Sequence, residues 1–340
     1  MFPPVIKDAV IYANLILMLA IGFTLTYLIA KIPNFAHGTF AGIGIYTTFW
    51  VARVKHMNPY ISPPIAFILG AIVGASIFLV VIQTLRKYKA TPISLTISTI
   101  ALNIIMVALL NIYADYVRES TEETIFTRGF QFRRLDFRLF DLPGVLIATT
   151  ILIVFLILSL HLMLTKTKFG IALRATVENS DLATMMGVNV DRVSTFSWFL
   201  TGGLASLSGS FLPLWFQGNP GTGNLLMTSV FAASILGGIN SIYGAMIGGY
   251  MLGLSEILIT SLLAKYISGS LAAYRMLIPL TILSVSLLMA PTGIMGIVEK
   301  YREKKATIAR KEIETTPEIK AEIEKEEKER VFVEREGMKS

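Results

Sequence analysis

Four stretches of the chain, residues 9–30, 60–82, 92–113 and 143–164, run without a single Asp, Glu, Lys or Arg. Each matches the roughly 20 apolar residues that an α-helix needs to cross about 30 Å of hydrocarbon. A core helix of a soluble protein carries a polar stripe at three-to-four spacing, and these stretches carry none. Residues 192–216 and 271–291 are nearly as clean, with Arg192 at one edge and Arg275 near the start of the other. The shorter run 38–52 holds Gly38, Gly42 and Gly44, which predicts tight packing or an irregular helix. The run 226–263 is too long for one span and divides at Asn240, with a short first arm and a longer second arm carrying Glu256. Strands of a membrane barrel would alternate every second residue, a pattern not seen here. The prediction is an all-α polytopic transmembrane helix bundle of eight to nine spans. The first run lacks a basic flank and is long, so it reads as a retained span rather than a cleaved leader.

Composition agrees. Of 340 residues, 54% are hydrophobic and 16% charged, where an average soluble domain has about 25% charged. With 20 Phe and no Cys, disorder and disulfide or thiolate chemistry are excluded. The net charge of +7 lies wholly in the first 298 residues, because the tail 299–340 carries twelve basic and twelve acidic residues. The excess sits in loops, where lipid head groups and partner proteins are the expected counter-charges, and no nucleic acid is expected. The loop 114–142 sets Arg118, Arg128, Arg133, Arg134 and Arg138 against six acidic residues. The loop 165–191 is polar and reads as helical, with Ser180 and Asp181 as expected caps of a short helix that Gly187 ends. Placing that loop on the cytoplasmic side gives eight basic residues inside against nine outside, and adding Lys300, Arg302, Lys304 and Lys305 just past the last span makes it twelve against nine.

Several polar and small residues in the spans have two readings. Asn34 and His37 sit between the first two runs. They could coordinate substrate or a proton, or form a cap and turn in which Asn34 is the N-cap and Gly38 allows close helix approach. Asn103 and Asn111 either bond across helices or line a pore. Glu256 is the one acidic residue well inside a span, either an ion carrier or a member of an interhelical network. The pattern Gly-Gly-x-x-Ser-x-x-Gly occurs twice, from Gly202 to Gly209 and from Gly237 to Gly244. It serves either tight helix contact or a broken helix at a site.

There is no GxxxxGK[ST] phosphate loop, no HExxH motif and no His/Asp/Glu metal cluster; the three His are His37, His56 and His161. No catalytic arrangement stands out, so no enzyme is expected. A pure membrane scaffold is disfavoured, since it has no need of costly polar groups in its spans.

Four segments, in order and with compatible spacing over about residues 9–297, resemble the branched-chain amino-acid permease family of ABC importers. They are Asn34-Phe35-Ala36-His37-Gly38; Arg174 through Asn179, Asp181, Ala183 and Gly187 to Asn189; Leu236 to Gly249; and Met289 to Gly296. The resemblance implies a plasma (inner) membrane permease domain, 1–297, with a charged cytoplasmic tail, 298–340. It implies a second permease subunit, an extracytoplasmic substrate-binding protein and two cytosolic ATPase subunits that hold the ATP and Mg, with no cofactor on this chain. In that family the loop matching 165–191 couples to the ATPases, so Arg174, Asn179, Asp181, Ala183 and Gly187 are the expected coupling residues. The expected pathway residues are Asn34, His37, Gly38, Asn103, Gly237, Gly238 and Glu256. Branched-chain amino acids are the expected cargo; amides, urea and other small solutes are carried by related permeases. The alternative is an ion-coupled secondary transporter or channel that uses Glu256.

Overall fold

The computed structural model describes residues 3–120 and 126–314; the remainder of the charged tail, and Glu122 and Glu123 of the arginine-rich loop, lie outside the described residues. The chain divides after Ile294 into two units.

The first unit is a helix bundle. Helix α1 (Pro4–Ala30) starts behind Pro3 and stops where Lys31 turns left-handed at φ 55°. Its 27 residues make a rod of about 40 Å. It is apolar on every side, so it is buried on every side and forms the axis of the bundle. Next come α2 (His37–Phe49), which loosens into a π turn at Trp50–Val54, and α3 (Ser62–Ile77), which passes through a π turn at Phe78–Ile82 into α4 (Gln83–Lys87). Helices α5 (Pro92–Ser120) and α6 (Gly144–Lys166) flank a loop that holds a short antiparallel pair, Arg138–Leu139 with Leu142–Pro143. Two short helices, α7 (Lys168–Glu178) and α8 (Ser180–Met185), lead to α9 (Val190–Phe211). The long run after residue 222 is two helices, α10 (Thr222–Gly237) and α11 (Ile242–Tyr266), followed by α12 (Leu277–Met289); the described part of the second unit is helical, the continuation of α13 (Gly293–Glu314) from residue 295.

Six of these segments are long and apolar enough to cross a membrane: 4–30, 59–87, 92–120, 144–166, 242–266 and 277–305. Helix α10 is apolar but shorter. The protein is therefore a mostly helical polytopic membrane bundle.

Glycines explain how the bundle closes. A Cβ on Gly202 would stand 2.2 Å from the Gly70 carbonyl oxygen, and one on Gly74 would meet the Trp198 oxygen at 2.4 Å. So α3 and α9 touch backbone to backbone. Gly44 and Gly209 bring α2 equally close to α9, and Gly38 with Gly223 brings α2 onto α10. In lipid the tails are as apolar as the side chains, so such contacts, rather than a hydrophobic drive, hold helices together. Hydrogen bonds across helices add to them. Asn14 Nδ2 donates to Thr149 and Thr150 on α6 at 3.1 Å each, Thr26 donates to Thr201 at 2.7 Å, and Ser208 donates to the Leu15 carbonyl at 2.9 Å.

The outer shell is a different surface. Ile93, Ile97, Ile104, Leu109 and Ile112 of α5 are exposed, as are Ile151, Val154 and Phe155 of α6. Apolar exposure of this extent suits a hydrocarbon solvent.

Candidate functional site

The helical loop between α6 and α9 is built from caps. The Thr167 hydroxyl accepts from Gly170 N and starts α7. Asn179 Oδ1 accepts from Asp181 N at 3.1 Å and Leu182 N at 3.0 Å and starts α8. The expected caps, Ser180 and Asp181, lie instead inside the first turn, because the amide one residue earlier reaches both free N–H groups. Gly187, at φ +86°, ends α8, with its own N–H donating to Thr184 O and Val188 N–H to Ala183 O. Asn189 then caps α9 by accepting from Arg192 N at 3.0 Å. The Arg174 guanidinium donates to the Leu164 carbonyl, tying α7 back to the end of α6. Ala183 is buried, whereas Leu182, Met185 and Met186 are exposed, the two methionines at 83% and 79%. Short α8 is therefore a rigid knob with an apolar tip.

A second constellation lies between α1, α10, α11 and the segment before α12. Glu256 is buried and accepts three hydrogen bonds: from Tyr12 Oη at 2.9 Å, Ser229 Oγ at 2.8 Å and Arg275 Nε at 2.7 Å. The guanidinium lies 4.0 Å from the centre of the Tyr12 ring and 5.9 Å from that of Phe216. A cavity of about 370 Å³ opens beside this group, walled by Leu212, Phe216, Leu225, Leu226 and Met276.

The other expected pathway residues lie outside this cluster. Asn34 Oδ1 accepts from Ala36 N, forming a turn before α2 rather than capping it; the cap position belongs to Ala36. His37 is fully buried, its Nε2 2.9 Å from the Leu19 carbonyl and its ring against Phe23 and Phe40. A carbonyl only accepts, so Nε2 is the donor here, and Nδ1 has no partner among the described residues. Gly38 lets α2 meet α10, and Gly237 lets α10 meet α11 with only 1.9 Å between a hypothetical Cβ and the Gly244 oxygen. Gly238, at φ +108°, makes the turn between them. Asn103 keeps a buried, unpartnered Oδ1, and Asn111 accepts from Arg128 at 3.2 Å. Asn34, His37 and Gly38 are thus brought together at one end of α2, while Glu256 belongs to its own cluster.

At the end of the bundle that carries Asp8 and Arg133, the arginine-rich loop is fastened down. Phe130 pairs with Gly218, Trp215 Nε1 donates to Asp8 at 2.7 Å, and Arg133 stacks on the Trp215 ring at 3.8 Å. Asp136 accepts from the Tyr60 hydroxyl and from Val145 N, and burial raises its pKa above the ordinary carboxylate value. Among the described residues no three His, Asp or Glu gather as a metal site.

With this geometry in place, comparison with known proteins is decisive. A profile of the branched-chain amino acid transport system permease component matches residues 5–287. The chain belongs to this family. The probable branched-chain amino acid transport permease protein LivH of Methanocaldococcus jannaschii is 41% identical over 86% of this chain and 92% of its own length. The high-affinity permease proteins LivH of Escherichia coli K12 and BraD of Pseudomonas aeruginosa are 30% and 29% identical, each over 82% of this chain and 90% and 91% of their own. Among solved structures, PsaBC from Streptococcus pneumoniae in complex with Fab aligns at a TM-score of 0.48, with 14% identity over 85% of this chain and 93% of that one.

Sequence reasoning missed two features of the permease. Arg275 is the sole base in the run 271–291 and Glu256 the sole acid in 226–263, so their pairing was open to inference from charge alone. Leu182, Met185 and Met186 are apolar residues in a polar loop, and only the direction in which α8 faces reveals them as a patch.

Proposed function

We propose that this chain is the translocating subunit of an ATP-driven importer for branched-chain amino acids, coupled through α8 to ATPases on separate chains. The observation that carries the reading is the exposed apolar tip of α8, Leu182, Met185 and Met186, on a helix capped at both ends and short-wired to the bundle. The sequence carries no GxxxxGK[ST] phosphate loop, in keeping with ATP hydrolysis on separate chains. Under this reading α8 and the tail face the cytoplasm, and a second permease and an extracytoplasmic binding protein complete the complex. Nine crossings result when α2, α9 and α10 join the six long apolar segments.

The mechanism follows from the fastening of the loop. When the ATPases close, α8 moves with them. Asn189 and the Val188 bond pass that displacement to α9, and Arg174 passes it to α6. Helix α9 runs through the bundle against α1, α2 and α3, so its shift changes which side of the bundle is open. Relatives named as branched-chain amino acid permeases support the cargo. An ion-coupled carrier built on Glu256 is disfavoured by its ion pair with Arg275, which already balances the carboxylate's charge.

The test is uptake by vesicles holding the complete complex. Leucine uptake should require ATP and survive collapse of the proton gradient; uptake that persists without ATP and disappears with the gradient refutes the reading.

A further inference from the structure

The cavity beside Glu256 is chemically unlike its surroundings. It holds one carboxylate and one guanidinium in contact, at 2.7 Å, with the neutral polar groups of Tyr12, Ser229, Gln217 and Thr222 also on its wall, and the remainder is Leu212, Phe216, Leu225, Leu226 and Met276. We propose that it is a binding site for an aliphatic α-amino acid, with the carboxylate of the ligand on Arg275, its ammonium on Glu256, and its side chain among Leu212, Leu225, Leu226 and Phe216. The proposal rests on the amino-acid permease reading given above.

Energetics come first. Replacing a buried ion pair by well-packed apolar residues is often neutral or stabilising. Ionisable residues inside the membrane mark substrate or ion pathways. Stability alone is a poor reason for Glu256, 4% exposed at its side chain, to be paired with Arg275.

Unused bonding capacity comes second. Arg275 donates to Glu256 through Nε, while Nη2 is buried with no acceptor among the described residues. Glu256 Oε2 accepts one hydrogen bond, from Ser229, where a carboxylate oxygen takes two. A vacant donor and a vacant acceptor of opposite charge, on two residues already joined at 2.7 Å, are the complement of a zwitterion. An inorganic cation or a simple carboxylate would match only one of them.

Preorganisation and size come third. The guanidinium is clamped between its ion pair and the Tyr12 face, and Tyr12 is itself anchored on Glu256. A ligand therefore meets a fork already held in place, which spares the ordering cost of a free side chain. The volume of about 370 Å³ lies at the lower end of the range for small-ligand pockets, about 300–1,000 Å³, and suits one amino acid.

The experiment uses the complete transporter complex in nanodiscs without the binding protein, and measures binding of leucine, leucinamide (no carboxylate) and 4-methylpentanoate (no ammonium). Leucine should bind about tenfold or more tightly than either analogue, the factor that goes with losing one hydrogen-bonded charge contact. Arg275→Gln should weaken leucine by a similar factor and leave leucinamide unchanged, and Glu256→Gln should weaken leucine and leave 4-methylpentanoate unchanged. A purely structural pair would lower all three ligands alike, and that result overturns the proposal. A diazirine analogue of leucine gives a second arm that needs no variant: it should label Leu225, Leu226 or Met276, and labelling confined to other helices overturns the proposal. A complex that takes up leucine with both variants unimpaired removes this site and leaves the permease reading standing. A wild-type complex that takes up no branched-chain amino acid removes the permease reading itself.

Discussion

Gly187 offers a prediction that separates two causes of the same phenotype. It closes α8 at φ +86°, and no heavy atom lies within 4 Å of where its Cβ would be. Any side chain is therefore accommodated in space, and the cost of replacing the glycine is that of its backbone conformation. A left-handed conformation costs an ordinary L-residue about 1–2 kcal/mol. Loss of unfolded-state freedom on replacing Gly returns roughly 0.4–1 kcal/mol. The net for Gly187→Ala is about 1 kcal/mol, enough to shift the ratio of formed to unformed α8 cap about fivefold. Gly187→Leu should match Gly187→Ala. Asn tolerates the left-handed region and should fall below both, and a β-branched Val should stand above them.

The assay is ATP-dependent leucine uptake by the reconstituted complex, with membrane insertion and ATPase co-purification followed in parallel. Insertion should be normal in every variant, because α8 is a six-residue helix outside the long apolar segments. Uptake should fall in the order Asn, then Ala with Leu, then Val. A Leu variant far worse than Ala would show that bulk, hence an uncharted neighbour, decides the effect. An Asn variant as poor as Val would refute the backbone argument outright.

Other outcomes follow from the same structure. Met185→Asp should leave the permease folded and weaken its hold on the ATPases about tenfold or more, since burying a Met is worth about 1.5–3 kcal/mol; co-purification at wild-type yield would remove α8 as the docking knob. Gly202→Ala forces α3 and α9 roughly 1 Å apart and should destabilise the bundle by about 1–3 kcal/mol, read as a lower melting temperature in detergent; a Gly70→Ala change at the same crossing should be similar, and two neutral variants would refute the contact. Asn179→Ala removes both bonds to the start of α8 and should cost about 1 kcal/mol, seen as faster amide exchange at residues 181–185 with α7 unaffected. Asp136 holds its proton more tightly in the folded protein than unfolded, so its contribution favours the folded loop at low pH and is lost as pH rises through the raised pKa. Asp136→Asn should flatten the pH dependence of proteolytic nicking in the loop 126–143, and an unchanged profile would assign that dependence elsewhere.

What could be read from the sequence, and what could not, divides along a physical line. Local chemistry was legible. Apolar runs of span length became helices within a few residues, the break at Asn240 is a turn between α10 and α11, and the polar loop 165–191 is helical. Each depends on hydropathy or on turn and cap residues acting over three or four positions. Long-range partners were illegible: nothing in the sequence places the Leu19 carbonyl, 18 residues away, 2.9 Å from His37 Nε2.

The repeated glycine pattern makes the point most sharply. From Gly202 to Gly209 the small residues are contact points for two other helices: Gly202 meets Gly70 and Gly74 of α3, Gly203 meets Phe67 of α3, and Gly209 meets Ala41 of α2. From Gly237 to Gly244 the same eight-residue pattern is a helical hairpin closing on itself, where Gly237 meets Gly244 and Gly238 takes a positive φ. The copies differ at four positions, and one of these lies at the break between α10 and α11. Ala205, a strong helix former, carries the first copy straight on as α9, whereas Asn240 stands there in the second, at the turn before Ser241 caps α11. Ser206 and Ser241 diverge accordingly: the first is buried mid-helix against Gly44, and the second accepts from Gly244 N at 3.2 Å to begin a new helix. Small residues permit close approach without saying to what. The residue between them decides whether the chain continues through the contact or turns back to make it.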